Sequence, residues 1–114
     1  MTDLTDKTCE PCQGGIPPME EEEIVEYREQ IDDAWDIVED HHIKRSFDFN
    51  DFQAALEFVN QVGEIAEQEG HHPVIEFTWG EATIEIYTHK IDGLHENDFI
   101  LASKIDRLWE EDWQ

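Results

Sequence analysis

A chain of 114 residues is the size of one domain, and 39% hydrophobic content with four Trp and six Phe supplies material for a core. Thirty Asp and Glu against seven Lys and Arg give a formal net charge of −23, which opposes direct contact with nucleic acid or an anionic membrane. A disordered acidic chain is disfavoured, because such chains lack the aromatic and β-branched residues that recur here with clear periodicity.

The acidic residues therefore form a solvated coat on a folded domain. Self-repulsion on this scale weakens the fold at low ionic strength, which points to a salt-rich cytosol as the natural setting. A core this small also predicts association into oligomers. No apolar run is long enough to span a bilayer and the N-terminus carries no signal pattern, so the cytoplasm is the expected compartment. Two cysteines do not make a secreted disulfide framework.

Residues 1–15, through Gly14-Gly15, read as a polar tail or an arm lying on the surface, and residues 16–114 as a single domain. Ile16-Pro17-Pro18-Met19 opens a first helix, with Glu20 to Glu23 at the positive end of its dipole. Ile24, Tyr27, Ile31 and Trp35 follow at helical spacing. Around Trp35 the period becomes two. Trp35 and Ile37, then Ile43, Arg45, Phe47 and Phe49, predict two strands joined by a turn at Asp40-His41-His42.

Asn50 with Gln53 resembles a capping box, and Phe52, Ala55, Leu56, Val59, Val62 and Ala66 mark a long amphipathic helix. Gly63 within it predicts close packing against another element, and Gly70 a stop. Val74 to Tyr87 returns to period two, with Gly80-Glu81 as the expected turn. A last helix begins near Glu96, with Phe99, Leu101, Ala102, Ile105 and Leu108 as its apolar residues. The expected fold class is α+β: a four-stranded antiparallel sheet with three helices packed on one face.

The second hairpin carries the chemistry. A Gly80-Glu81 turn pairs Trp79 with Ala82, Phe77 with Ile84 and Ile75 with Ile86 on an apolar face. Glu76 then opposes Glu85 on the wetter face, a mildly destabilising pair. Extended outward, the register opposes His72 and His89 at the open end. His71 lies four residues after Glu67, where carboxylate and imidazole can meet across one helical turn. Three histidines and a carboxylate with no Ser or Cys nearby suit proton transfer, one imidazole donating while another accepts.

Glu67, His71, His72, Pro73, His89 and Asp98 resemble the E-x3-H-H-P … H … D signature of the pterin-4a-carbinolamine dehydratases. Ile16-Pro17-Pro18, Trp35, Arg45-Ser46-Phe47 to Phe49, Phe58-Val59-Asn60, Thr88-His89-Lys90, Gly93-Leu94 and Asn97-Asp98-Phe99 also look like family positions. The resemblance implies dimers or tetramers, no metal and no organic cofactor. It implies dehydration of the 4a-hydroxytetrahydropterin left by an aromatic amino acid hydroxylase to the quinonoid dihydropterin. His71, His72 and His89 would bind the pterin and carry protons. Glu67 would hold His71, Asp98 would orient His89 or the ring, and Pro73 would support the site.

Two other functions fit the same resemblance. One is a binding module, since some members act as dimerisation partners of transcription factors; the other is a binder of a molybdopterin-type ligand. Blander readings apply to single residues. Asp98 suits a first helical turn for the dipole alone. His95 stands where a capping Ser or Thr is expected, which predicts a weaker helix start. His41-His42 reads as a polar turn. Cys9 and Cys12 form a lone CxxC, weak evidence for metal or redox chemistry.

Overall fold

The computed structural model describes residues 4–9 and 16–113. Alternation sets the sheet. Ile43, Arg45 and Phe47 are buried along one strand, and Ala82, Ile84 and Ile86 along its partner, while the residues between them face away from the core. The elements are α1 (Glu21–Arg28), β1 (Asp36–Val38), β2 (His42–Asp48), α2 (Phe52–Glu69), β3 (Val74–Thr78), β4 (Glu81–Ile86) and α3 (Glu96–Leu108). The strands run antiparallel in the order β1-β2-β4-β3. Ile24, Phe58, Val62, Phe99, Leu101 and Ile105 of the three helices pack against the buried face of the sheet, which gives the expected α+β sandwich.

Several local expectations are corrected. α1 ends at Arg28, whose guanidinium donates to the carbonyls of Asp32 and Asp33 at 3.2 and 2.8 Å; Ile31 and Trp35 are buried from the turns beyond it. The first hairpin turns through Glu39, Asp40 and His41: Val38 pairs with His42, Glu39 and Asp40 both take a φ of 54°, and the His41 amide donates to the Val38 carbonyl at 2.9 Å. Asp40 and His41 thus lie in the turn as expected, while His42 opens β2. Asp51, not Asn50, caps α2, accepting from the Ala54 amide at 2.8 Å. Gly63 has open space where a side chain would stand, so close packing does not explain it.

The second hairpin is displaced by two residues from the expected register. Thr78 pairs with Glu81, Phe77 with Ala82 and Ile75 with Ile84, leaving Trp79-Gly80 as the loop. Gly80 takes a φ of 81°, open to glycine, and Trp79 is 69% exposed. A two-residue slip preserves both faces, which is why residue alternation alone could not exclude it. Glu85 consequently opposes Val74 and Lys44 rather than Glu76.

A buried network ties β2 to α3. Arg45 Nη1 and Trp35 Nε1 both donate to Asp106 Oδ1, at 2.6 and 2.7 Å, and the Asp32 amide donates to Oδ2 at 2.9 Å. Burial pushes the Asp106 carboxyl up despite these three donors. The N-terminal segment is more than a polar covering. Leu4 enters the core at 1% exposure, Lys7 Nζ donates to Glu96 at 2.8 Å, and the Cys9 amide donates to Glu69 at 2.8 Å. Cys12 and Gly14-Gly15 lie outside the described residues.

Candidate active site

The end of α2 delivers two histidines in opposite directions. Gly70 adopts φ 64°, its amide reaches the Glu67 carbonyl, and the His71 amide bonds back to Ala66 at 3.1 Å, the closing pattern of a Schellman motif. The chain then extends, and adjacent residues of an extended chain point to opposite sides. The His71 side chain turns inward and is 12% exposed; that of His72 turns outward and is 62% exposed.

Each imidazole meets a carboxylate, though not as the sequence predicts. His71 Nε2 contacts Asp98 Oδ1 at 2.6 Å, and His72 Nε2 contacts Glu67 Oε1 at 2.7 Å. Asp98 thus holds His71, and Glu67 holds His72. The helical i, i+4 geometry that favours Glu67 and His71 does not apply, because α2 stops at Glu69 and Gly70 redirects the chain. A carboxylate only accepts, so each ring donates from Nε2 and leaves Nδ1 as its proton-accepting atom.

Asp98 is fully buried and accepts three hydrogen bonds. Besides His71, Thr88 Oγ1 donates to Oδ2 at 2.9 Å, and the His95 amide donates to the same oxygen at 2.8 Å. Its place in the first turn of α3 makes that last bond half of a capping box. The other half is His95 itself, whose Nδ1 accepts from the Asn97 amide at 3.1 Å. The helix start is therefore capped rather than weak. Asp98 serves the helix and His71 at once.

His89 arrives on a short 3-10 turn, His89–Ile91, that follows β4. A bridge between Thr88 and Gly93 closes this loop, with the Thr88 amide donating to the Gly93 carbonyl at 2.8 Å. A side chain at Gly93 would stand 2.5 Å from Pro18 Cβ, so the loop needs glycine there for close approach. His89 is not paired across the hairpin with His72: β4 ends at Ile86, and the actual register would bring Tyr87 opposite His72. Instead His89 is exposed and packs on the Tyr87 ring with centroids 4.2 Å apart. It joins the buried pair through its neighbour Thr88, which shares Asp98 with His71. Thr88 was legible only as a residue beside His89, and nothing local in the sequence marks its hydroxyl for Asp98.

Beside His72 lies an open groove of about 750 Å³ between α2 and β3, lined by Asn60, Gly63, Glu67, Pro73 and Ile75 among others. The bare backbone at Gly63 helps keep it open. Pro73 starts the wall on which β3 begins. At the far side of α3 the N-terminal segment braces the helix start. Its Lys7, with the Tyr27 hydroxyl at 2.9 Å, holds the Glu96 carboxyl below the usual range. Burial and the nearby Glu69 push the Cys9 thiol up to about 12, which favours its neutral form.

Comparison with known proteins gives the chain its family. Residues 17–108 match the family model for pterin 4 alpha carbinolamine dehydratase. A protein of Rubrobacter xylanophilus that carries this dehydratase as a provisional name is 52% identical over 108 residues, 95% of this chain and all of that protein. A protein of Halorhodospira halophila with the same provisional name is also 52% identical, over 92% of this chain and 96% of that one. The crystal structure of a transcriptional coactivator/pterin dehydratase from Brucella melitensis superposes with a TM-score of 0.73 at 30% identity, covering 80% of this chain and 97% of that one. A signature carried on a capped α3, a redirected α2 and a full-length match to these relatives places the chain in the pterin-4a-carbinolamine dehydratase family.

Proposed function

We propose that this protein dehydrates a 4a-hydroxytetrahydropterin to the quinonoid dihydropterin by histidine acid/base catalysis, within tetrahydropterin recycling. The C4a–O bond breaks as the hydroxyl takes a proton and leaves as water. The N5 proton passes to a base as the N5–C4a double bond forms. One group must donate and another accept, and imidazoles titrating near neutrality suit both tasks. The observation that carries this reading is the pair of adjacent histidines on separate carboxylates, one buried on Asp98 and one at the edge of an open groove.

In this reading His71, His72 and His89 bind the pterin and exchange its protons. Asp98 fixes His71, Glu67 fixes His72, and Pro73 sets the wall of the groove. Proton movement alone completes the reaction, so no metal or organic cofactor is called for. The working form is a homodimer or homotetramer in the cytoplasm.

The test is the dehydration rate of freshly generated 4a-hydroxytetrahydropterin with and without the protein, at high and low salt. Acceleration that is lost in His72→Ala and His89→Ala supports the enzyme. The name of the Brucella neighbour joins a coactivator role to the dehydratase, and this favours one rival, a non-catalytic binding module. That rival predicts no acceleration by the folded protein, with assembly indifferent to both substitutions.

A further inference from the structure

Outside the two carboxylate-bound histidines, a second cluster of titratable rings stands at the open end of β4. His41 Nε2 contacts Asp92 Oδ1 at 2.7 Å, and His42 Nε2 contacts Glu85 Oε1 at 3.0 Å. The two Nδ1 atoms face each other at 3.0 Å. Both Nε2 atoms must donate to their carboxylates, so the Nδ1 contact is a hydrogen bond when one ring carries both of its protons.

The cluster is joined to His89 in two ways. The His41 ring lies 4.6 Å from the Tyr87 ring, which lies 4.2 Å from that of His89, so Tyr87 stands between the two imidazoles. Asp92, the partner of His41, also closes the turn that carries His89: it adopts φ 50°, and its amide donates to the His89 carbonyl at 3.2 Å. His89 is exposed and receives neither of the carboxylates that hold His71 and His72. Its orientation must be set from elsewhere.

We infer that His41 and Tyr87 are positioning residues for His89, with His41 pinning both the Tyr87 ring and the Asp92 end of the turn from the β1–β2 hairpin. The His41–Asp92 pair is open to solvent on its Asp92 side, at 88%, so it contributes little to stability. Its effect is geometric. A proton-transfer group must sit within hydrogen-bond reach of its target, and a displacement of about 1 Å can cost roughly 10²-fold in rate. The consequence for turnover rests on the dehydratase reading above; the positioning of His89 does not.

The experiment compares His41→Ala, Tyr87→Ala, their double variant, and the ring-preserving His41→Phe and Tyr87→Phe in the full chain. The substrate-free readout is the NMR titration of the His89 imidazole. The second is kcat against KM for dehydration. His41→Ala is expected to shift the His89 titration and lower kcat by about 3- to 30-fold, with an unchanged melting temperature. Adding it to Tyr87→Ala should change little further, because the two act through one contact. Tyr87→Phe should stay near wild type and His41→Phe should recover part of the loss. A His89 titration indifferent to His41→Ala, or full additivity in the double variant, overturns the inference. A shifted titration in a protein without turnover sustains it and removes the dehydratase reading instead.

Discussion

His71 and His72 are adjacent in the chain and hold carboxylates at nearly equal distances, 2.6 and 2.7 Å, yet their surroundings differ in almost every respect. Asp98 is buried and has three donors, fixed by the first turn of α3 and by Thr88. The Glu67 side chain is 78% exposed on α2, and its carboxylate meets a histidine that is itself 62% exposed. A contact length therefore says little about what a pair contributes. In a dry site, loss of one partner strands the others; at the surface, water replaces it. The inner pair is held by several buried partners, and the outer one stands open to solvent.

The largest effect should come from the inner pair. Asp98→Ala leaves His71, Thr88 and the His95 amide without their acceptor and is expected to cost about 3–5 kcal/mol, from three donors stranded at about 1–3 kcal/mol each and partly relieved by relaxation. Glu67→Ala should cost within about 1 kcal/mol. Urea unfolding of both variants checks the contrast, and equal losses would break it. Function should divide differently. In the proposed reaction His72→Ala is expected to lower turnover by about 10²–10⁴-fold while the stability stays within about 0.5 kcal/mol of wild type. His71→Ala should lower both, as measured by dehydration rate and thermal unfolding together.

The fold class was legible in the sequence, but the partners of the candidate side chains were not. Period-two and helical patterns located four strands and three helices; of the residues the hairpin argument gathered, Glu67, His71 and His72 lie together at the end of α2, His89 reaches the buried pair only through Thr88, and Asp98 was marked by the resemblance alone. What failed was register and partner. A two-residue slip at Trp79-Gly80 keeps Ile75, Phe77, Ala82 and Ile84 on one face, so hydrophobicity cannot choose between the two alignments. Glu67 was assigned to His71 from helical spacing, whereas Gly70 ends the helix and turns that ring toward α3, a tertiary neighbour twenty-seven residues away. The first turn was read one residue late, at Asp40-His41-His42 rather than Glu39-Asp40-His41, because its left-handed pair at Glu39-Asp40 lacks glycine. By contrast, Gly93, marked in the sequence only as a family position, lies against Pro18, which gives that part of the resemblance a physical cause.

A smaller effect separates the inner pair from its brace. Glu96 begins the helix that carries Asp98, and its carboxyl is held low chiefly by Lys7 and further by Tyr27, against the opposing effect of burial. A depressed carboxylate contributes stability that is present above its unfolded pKa and lost as pH falls through the folded value. The docking of the N-terminal segment should therefore loosen as pH falls from the ordinary glutamate range to below it. Leu4 methyl resonances, buried at neutral pH, report this directly. In Lys7→Met the loosening should already be present at neutral pH, and an acid-indifferent Leu4 in wild type would assign the docking to Leu4 burial alone.

Salt gives the finest discrimination between the two pairs. The formal charge of −23 is spread over a small surface, so raising ionic strength should stabilise the whole domain. The Debye length falls from about 10 Å at 0.1 M to about 3 Å at 1 M, which screens exposed pairs and reaches buried ones far less. The small stability difference between wild type and Glu67→Ala should thus shrink toward zero with added salt. The difference for Asp98→Ala should persist, because no ion reaches a carboxylate with no exposed surface. Unfolding series for the three proteins between these salt concentrations separate the outcomes. If the Asp98→Ala difference also fades, its cost is long-range repulsion across the acidic coat rather than lost local donors, and the contrast between the inner and outer pairs becomes one of degree.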